Sequence, residues 1–356
     1  MPALRIIIAC GGTGGHVFPG VATGQVLQRR GHDVSLWLSG RSVENETLHG
    51  WTGTVFRTGA QPLRLRNVFS FIVTLCRTWR AVRREKPDVL LAMGCYSSVS
   101  PVLAARLAGV PVVLHEANAV PGKAVALLSH FARVTALTFA DAARWLPGRR
   151  TIASGMPVRN NLTGLQPLDG CTPGVGFTLL ITGGSLGAHA VNELVCESAI
   201  LLRQQGMTDL HIIHQCGLAD EADLQKRYAA AGVDAKVFGF LREMGRAYTS
   251  ADFAICRAGA ATCAELCLCG VPALLIPLPT AVRDHQRLNA ESMVRTNGAD
   301  LRIQAGLTPE NLAAYITATR ADAPKRAAMR KALLSLAAPD AADKLADIIE
   351  SAAKKR

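Results

Sequence analysis

Apolar residues along this chain gather in short runs, each closed by small residues and followed by a stretch with helical spacing. The first run covers residues 4–10 and ends in Gly11-Gly12-Thr13-Gly14-Gly15-His16. It predicts a strand, a tight turn and a helix over 19–30. Further apolar runs at 34–38, 89–92 and 110–114 predict strands of the same sheet. Pro157 and a Gly/Pro-rich stretch at 164–176 interrupt the series, which then restarts. Residues 177–182 form a strand-like run ending in Gly183-Gly184-Ser185-Leu186-Gly187, with helical spacing over 188–205. Runs at 211–215, 235–238, 253–256 and 273–277 continue it, and from Thr308 onward the spacing is helical. Strands alternating with helices predict an α/β protein of two doubly wound parallel sheets. Ligands of such sheets bind outside the carboxyl ends of the strands, which predicts two domains facing across a cleft.

Composition narrows the function classes. With 49% apolar and 19% charged residues, the 356-residue chain is globular and long enough for two cores. A net charge of +12 favours phosphate-bearing partners. Nucleic acid is disfavoured, because only 5% of residues are aromatic and the densest basic run lies on an apolar helix. Ten cysteines occur without a CxxC pair, so they read as small core residues in a reducing compartment, with no metal site. The first apolar run passes straight into glycines and does not resemble a secretory signal. No uncharged run reaches the roughly 18–20 residues that span a bilayer, so membrane contact is expected to be peripheral.

The glycine-rich turns carry the chemistry. Each can present backbone amides and a helix N-terminus to a phosphate. A dinucleotide site fits the first turn poorly: the GxGxxG pattern from Gly12 fails at Val17, and Ser39-Gly40-Arg41 stands where a ribose-binding acid would end the second strand. The second turn matches the nucleophile elbow of serine hydrolases, with Ser185 as nucleophile and Asp252 or Asp284 with His285 as partners. Phosphate binding uses the same geometry and is the favoured reading, because an independent sheet precedes the motif. A third turn, Cys256-Arg257-Ala258-Gly259, leads into a helix whose Glu265 can accept two hydrogen bonds from a ribose diol. Asp284-His285-Gln286 and Asn289 form a polar cluster suited to sugar hydroxyls. No Asp-x-Asp occurs, so no metal or other cofactor is expected, and helix N-termini would neutralise a leaving diphosphate.

Together these stretches resemble the MurG family of peptidoglycan N-acetylglucosaminyltransferases over nearly the whole chain. The matching segments are Gly11 to Gly20, His115-Glu116-Ala117-Asn118, Gly155 to Arg159, Gly183 to Ala188, His214-Gln215 with Gly217, Cys256 through Glu265, and Asp284 to Ala290. The resemblance implies a GT-B fold. An acceptor and membrane-facing domain would cover 1–158, completed by a C-terminal helix within 337–356, and a UDP-sugar donor domain would cover 159–336. It implies inverting transfer of N-acetylglucosamine from UDP-N-acetylglucosamine to the 4-hydroxyl of undecaprenyl-diphosphate-MurNAc-pentapeptide (lipid I), giving lipid II. By the same resemblance Thr13, Gly14 and Gly15 meet the donor sugar and acceptor diphosphate, and Asn118 and Gln286 meet sugars. Arg159 and Ser185 meet the diphosphate. Leu241 and the stretch Ala260, Ala261, Thr262, Cys263, Ala264 and Glu265 form the uridine site, with Glu265 on the ribose. His16 is the implied catalytic base. Three positions depart from the family pattern: Cys95 in the third glycine-rich loop, Ala117 for Gln and Met156 for Asn.

Residues 57–86 carry eight Lys/Arg and one acid, Glu85. Val68, Phe71, Ile72, Leu75 and Trp79 recur there at helical spacing, which with the arginines predicts docking on an anionic membrane surface. The implied location is the cytoplasmic face of the bacterial inner membrane, with cell-wall synthesis proteins as candidate partners. The alternatives are another GT-B glycolipid glycosyltransferase, a UDP-sugar epimerase, or, in a different class, the hydrolase acting through Ser185.

Overall fold

The computed structural model describes residues 2–353, apart from 13, 42, 43, 45, 46, 49, 62–67, 160, 161, 172, 173, 185 and 186. The chain forms two compact units, Met1–Asn160 with Ala338–Arg356, and Asn161–Ala337. Arg159 therefore falls in the first unit, not at the head of the second.

The first unit is built on strands β1 (Arg5–Ala9), β2 (Asp33–Leu38), β3 (Thr54–Arg57), β4 (Val89–Ala92), β5 (Val112–Glu116), β6 (Val134–Leu137) and β7 (Thr151–Ala153). All pair in parallel, in the order β3-β2-β1-β4-β5-β6-β7. The side chains of β1 alternate between two cores, as the period of two in a strand requires. Ile6 and Ile8 pack with Val17 and Val21 of α1 (Gly14–Arg29) and with Leu345 and Ile349 of α12 (Ala341–Ala352). Ile7 and Ala9 face the other way. They meet Ala81 and Val82 of α2 (Val68–Glu85), Val102 of α3 (Val99–Leu107) and Leu128 of α4 (Lys123–Leu128). Helices thus cover both faces, which is why the strands read as continuous apolar runs.

Helix α1 starts at Gly14, five residues before the expected start at Pro19. A proline at this position removes the bond to the Gly15 carbonyl and crowds that carbonyl with its ring, yet the helix continues through it. Helix α12 is tied to this unit by Arg30, whose guanidinium reaches Asp343 at 3.0 Å, Asp347 at 2.6 Å and Glu350 at 3.2 Å.

The second unit repeats the plan. Strands β8 (Phe177–Thr182), β9 (Leu210–Gln215), β10 (Asp234–Phe238), β11 (Phe253–Cys256), β12 (Ala273–Leu275) and β13 (Ala299–Leu301) pair in parallel in the order β10-β9-β8-β11-β12-β13. Helices α5 (His189–Gln204), α6 (Glu221–Ala230) and α10 (Pro309–Ala321) share a core with Phe177, Leu179 and Ile181. Helices α7 (Met244–Ser250), α8 (Ala260–Cys269), α9 (His285–Val294) and α11 (Ala323–Leu336) complete the unit. In each sheet the strand order reverses beside the first strand, between β1 and β4 and between β8 and β11. The glycine-rich turns follow those strands.

Candidate active site

In the first unit the turn after β1 is shaped by its neighbours. A Cβ on Gly11 would lie 2.3 Å from the Ser39 amide nitrogen, so only glycine fits. Glu44, almost fully buried, turns back onto this loop. Its carboxylate accepts from the amides of Gly12 (2.6 Å), Gly40 (2.8 Å) and Arg41 (3.1 Å) and from the Ser39 hydroxyl. Burial opposes its charge, but these donors outweigh burial and hold the carboxyl below its ordinary range. The acid near the end of β2 is thus spent on the loop, away from the ribose-binding role it has in a dinucleotide fold.

Gly14 and Gly15 open α1, and His16 stands in its first turn. Thr13 lies outside the described residues. His16 Nδ1 is 2.8 Å from the Met93 carbonyl at the end of β4, so the imidazole bridges the point where strand order reverses. A carbonyl can only accept, so Nδ1 is the donor in this bond. Behind it, His115 is fully buried. Burial above all drives its pKa to about 4; the Gly155 carbonyl opposes this and the charge of His16 adds to it.

Glu116 organises the next loop. Its Oε1 accepts from the Asn118 amide (2.8 Å) and side chain (3.2 Å), and its Oε2 from the Gly122 amide (2.9 Å). Burial raises this carboxyl to about 7, although the three donors pull it down. Asn118 is therefore held in place from beneath. Arg159 lies with its guanidinium 4.4 Å from the ring centroid of Phe18, beside the same helix as His16.

In the second unit the turn after β8 is clamped by Thr182 and Gln215. The Thr182 hydroxyl donates to Gln215 Oε1 (2.7 Å) and accepts from the Gly184 amide (3.1 Å), and Gln215 Nε2 donates to the Gly184 carbonyl (3.1 Å). Gly187 has φ +75°, and a Cβ there would meet the Cys216 carbonyl oxygen at 1.9 Å. His214, held by burial at a pKa of about 3, fixes Asn192, whose amide donates to that same carbonyl at 2.8 Å. Ser185 lies outside the described residues.

Ala260, Ala261, Thr262, Cys263, Ala264 and Glu265 are the first six residues of α8. The Cys263 side chain is buried and its amide bonds to the Gly259 carbonyl at 2.9 Å. Glu265 is buried and its Oε2 accepts from Tyr248 OH at 2.9 Å, fixing the carboxylate one turn inside the helix. Leu241 is buried just before α7. Gln286 Oε1 accepts from the Leu278 amide (2.9 Å), leaving its Nε2 donor for another partner. The hydrolase alternative is not favoured among the described residues. Asp252 caps the amide of Thr178 (2.8 Å) near the start of β8, the opposite end from the turn. His285 Nδ1 is 2.9 Å from the Val282 carbonyl, so that nitrogen is engaged by backbone and not by a carboxylate.

Both halves of the chain match known proteins. Residues 6–137 match the glycosyltransferase family 28 N-terminal domain, and residues 178–345 match its C-terminal domain. A UDP-N-acetylglucosamine--N-acetylmuramyl-(pentapeptide) pyrophosphoryl-undecaprenol N-acetylglucosamine transferase of Ectopseudomonas mendocina is 38% identical, over 97% of this chain and 98% of that one. The enzyme of that name from Syntrophotalea carbinolica is 36% identical, over 96% and 97%. The crystal structure of Acinetobacter baumannii MurG superposes with a TM-score of 0.78 at 31% identity, covering 98% of this chain and all of that one.

The chain belongs to the MurG family.

Its two parallel-sheet units are those of the GT-B fold, and it is a UDP-sugar hexosyltransferase. Ala117 and Met156, two of the expected departures from the family pattern, are both buried. Cys95 is buried as well, and its Sγ is 2.8 Å from Ser97 Oγ. Glu44 and Tyr248 were not legible as site residues: each acts through a contact distant in sequence. Glu116 did carry a signal, its place between His115 and Asn118.

The expected membrane stripe needs one correction. Phe71 and Leu75 are partly buried and pack with the second core of the first unit. The outward apolar face consists of Val68, Phe69, Ile72, Val73 and Trp79. Both stripes satisfy helical spacing, and the sheet beneath selects which one it covers. Arg83 stacks 5.6 Å from Trp79 on the exposed side.

Proposed function

We infer that this chain transfers N-acetylglucosamine from UDP-N-acetylglucosamine to the muramyl sugar of N-acetylmuramyl-(pentapeptide) pyrophosphoryl-undecaprenol, converting lipid I to lipid II. The observation that carries the chemistry is the bond between His16 Nδ1 and the Met93 carbonyl, which holds this imidazole at the reversal point of the first sheet. In this reading the first unit receives the acceptor and the second holds the donor. His16 Nε2 takes the proton of the acceptor 4-hydroxyl as its oxygen attacks the anomeric carbon. The bond from that carbon to the diphosphate breaks, and the configuration inverts. Within the second unit, charge on the departing UDP is met by backbone amides of the turn after β8 and by the N-terminus of α8. Glu265, pinned by Tyr248, accepts from the ribose diol. Asn118 and Gln286 meet sugar hydroxyls, each oriented by the bond described above.

The test is transfer of radiolabelled N-acetylglucosamine from its UDP donor to a lipid I analogue in detergent with chelator present. Labelled disaccharide-lipid is expected. Absence of transfer together with tight UDP binding, lost on Glu265→Ala, would keep the donor seat and reject this acceptor.

The outward face of α2 adds a peripheral membrane site on the cytoplasmic side. Val68, Phe69, Ile72, Val73 and Trp79 enter the interface while Arg80, Arg83 and Arg84 meet anionic headgroups, at ~1 kcal/mol per basic residue. No described helix is long and apolar enough to cross a membrane. Vesicles containing anionic lipid should float with the protein, and Phe69→Asp with Ile72→Asp should abolish this. Flotation unchanged in the double variant would refute the assignment.

A further inference from the structure

Arg257, at the end of β11, is 7% exposed. Its Nη1 donates to the carbonyls of Ile276 (3.1 Å) and Pro277 (3.1 Å), and its Nη2 donates to Gln304 Oε1 (2.7 Å). Its Nε is buried with no partner. Every acceptor it uses is neutral, and burial lowers its pKa. A buried cation without a carboxylate is costly, and a neutral side chain of similar volume would avoid the cost. What a neutral side chain cannot do is span three acceptors with a rigid planar fork. Those acceptors lie just beyond the carboxyl ends of β12 and β13, so the guanidinium straps the ends of three adjacent strands together.

The loop that begins at those carbonyls leads into α9, whose second residue is Gln286. It is closed on itself by the Leu278 amide to Gln286 Oε1 bond (2.9 Å). It also contains two consecutive non-glycine residues in left-handed conformation, Arg283 (φ 55°) and Asp284 (φ 54°). Such residues persist only where the surrounding structure over-determines them. The His285 ring on the Val282 carbonyl and the Asp284–Arg287 ion pair hold the far end. Arg257 holds the near end.

We propose that Arg257 is a positioning residue for the donor sugar: it straps the Gln286 loop to the end of β11 and so sets how strongly the protein prefers UDP-N-acetylglucosamine to UDP alone. The inference rests on the reading that Gln286 meets the sugar. Lysine keeps the charge but loses the fork, so Arg257→Lys should weaken UDP-N-acetylglucosamine roughly tenfold, about one charge-assisted hydrogen bond's worth. UDP should be weakened less, because the three acceptors of Arg257 lie after β12 and β13 and none of them is in α8.

Isothermal titration of both ligands to the full-length chain reads this ratio, with thermal unfolding run alongside. Gln304→Ala, which removes one arm of the strap and leaves the buried charge, is the second variant should Arg257→Lys not fold. It should shift the ratio in the same direction. An unchanged ratio in the folded variants, or an equal loss for UDP, overturns the strap whatever Gln286 does. Gln286→Ala tests the underlying reading separately: if it leaves the ratio unchanged, Gln286 is not the sugar contact.

Discussion

Glu116 gives the first unit a pH dependence that can be worked out in advance. Its carboxyl is raised from an ordinary 4.5 to about 7 because burial penalises the charged form. The folded state therefore binds a proton more tightly than the unfolded chain does. The resulting stabilisation is fully present below pH 4.5 and is lost as pH rises through 7. At 1.36 kcal/mol per pH unit, that window corresponds to about 3 kcal/mol. Glu116→Gln removes the titration. It also replaces one acceptor oxygen with a donor facing the Gly122 or Asn118 amide, so it is destabilising at every pH. The informative quantity is the difference between the two proteins. The original chain's advantage should be largest near pH 4.5 and about 3 kcal/mol smaller at pH 8. The assay is urea unfolding followed by tryptophan fluorescence. All four tryptophans, at 37, 51, 79 and 145, belong to the first unit, so the signal reports that unit alone. A difference that does not change with pH would refute the linkage, and a difference that grows with pH would reverse its sign.

Three further outcomes follow from particular contacts. His16→Ala should lower kcat by about 10²–10⁴ with the dissociation constant for UDP-N-acetylglucosamine unchanged, as steady-state kinetics and titration will show; full turnover would remove the base role. Gly187→Ala places a Cβ 1.9 Å from the Cys216 carbonyl at φ +75°, so it should destabilise the second unit by more than the roughly 1–2 kcal/mol of left-handed strain alone and abolish donor binding; a calorimetric scan with UDP tests both. Arg30→Ala should cost the first unit about 1 kcal/mol by releasing α12 from three carboxylates, and the loss should shrink in high salt.

Much of this was legible from local pattern. The strands at 177–182 and 253–256 were read with their observed bounds, because fully buried parallel strands are unbroken apolar runs. Strands β3, β7 and β13 escaped for the opposite reason: they are short, lie at or near sheet edges and are only partly buried, so neither alternation nor a long apolar run marks them. Strand β6, Val134–Leu137, is buried throughout and also went unmarked, with Thr135 breaking its apolar run.

By itself the sequence determined the two α/β series, the glycine turns at strand ends and the family. These depend on periods of two and 3.6 residues and on backbone that only glycine can adopt, all of which are local properties. The tertiary structure decided which atoms those turns work with. His16 meets a carbonyl 77 residues away, Glu44 bends onto a loop 32 residues earlier, and the Arg257 fork closes on Gln304 across 47 residues. It also decided which of two equally spaced apolar faces of α2 meets the core. Periodicity fixes the spacing of a stripe but not its partner. A partner is chosen only when strand order brings distant segments together, and that order minimises the exposed apolar surface of the whole unit.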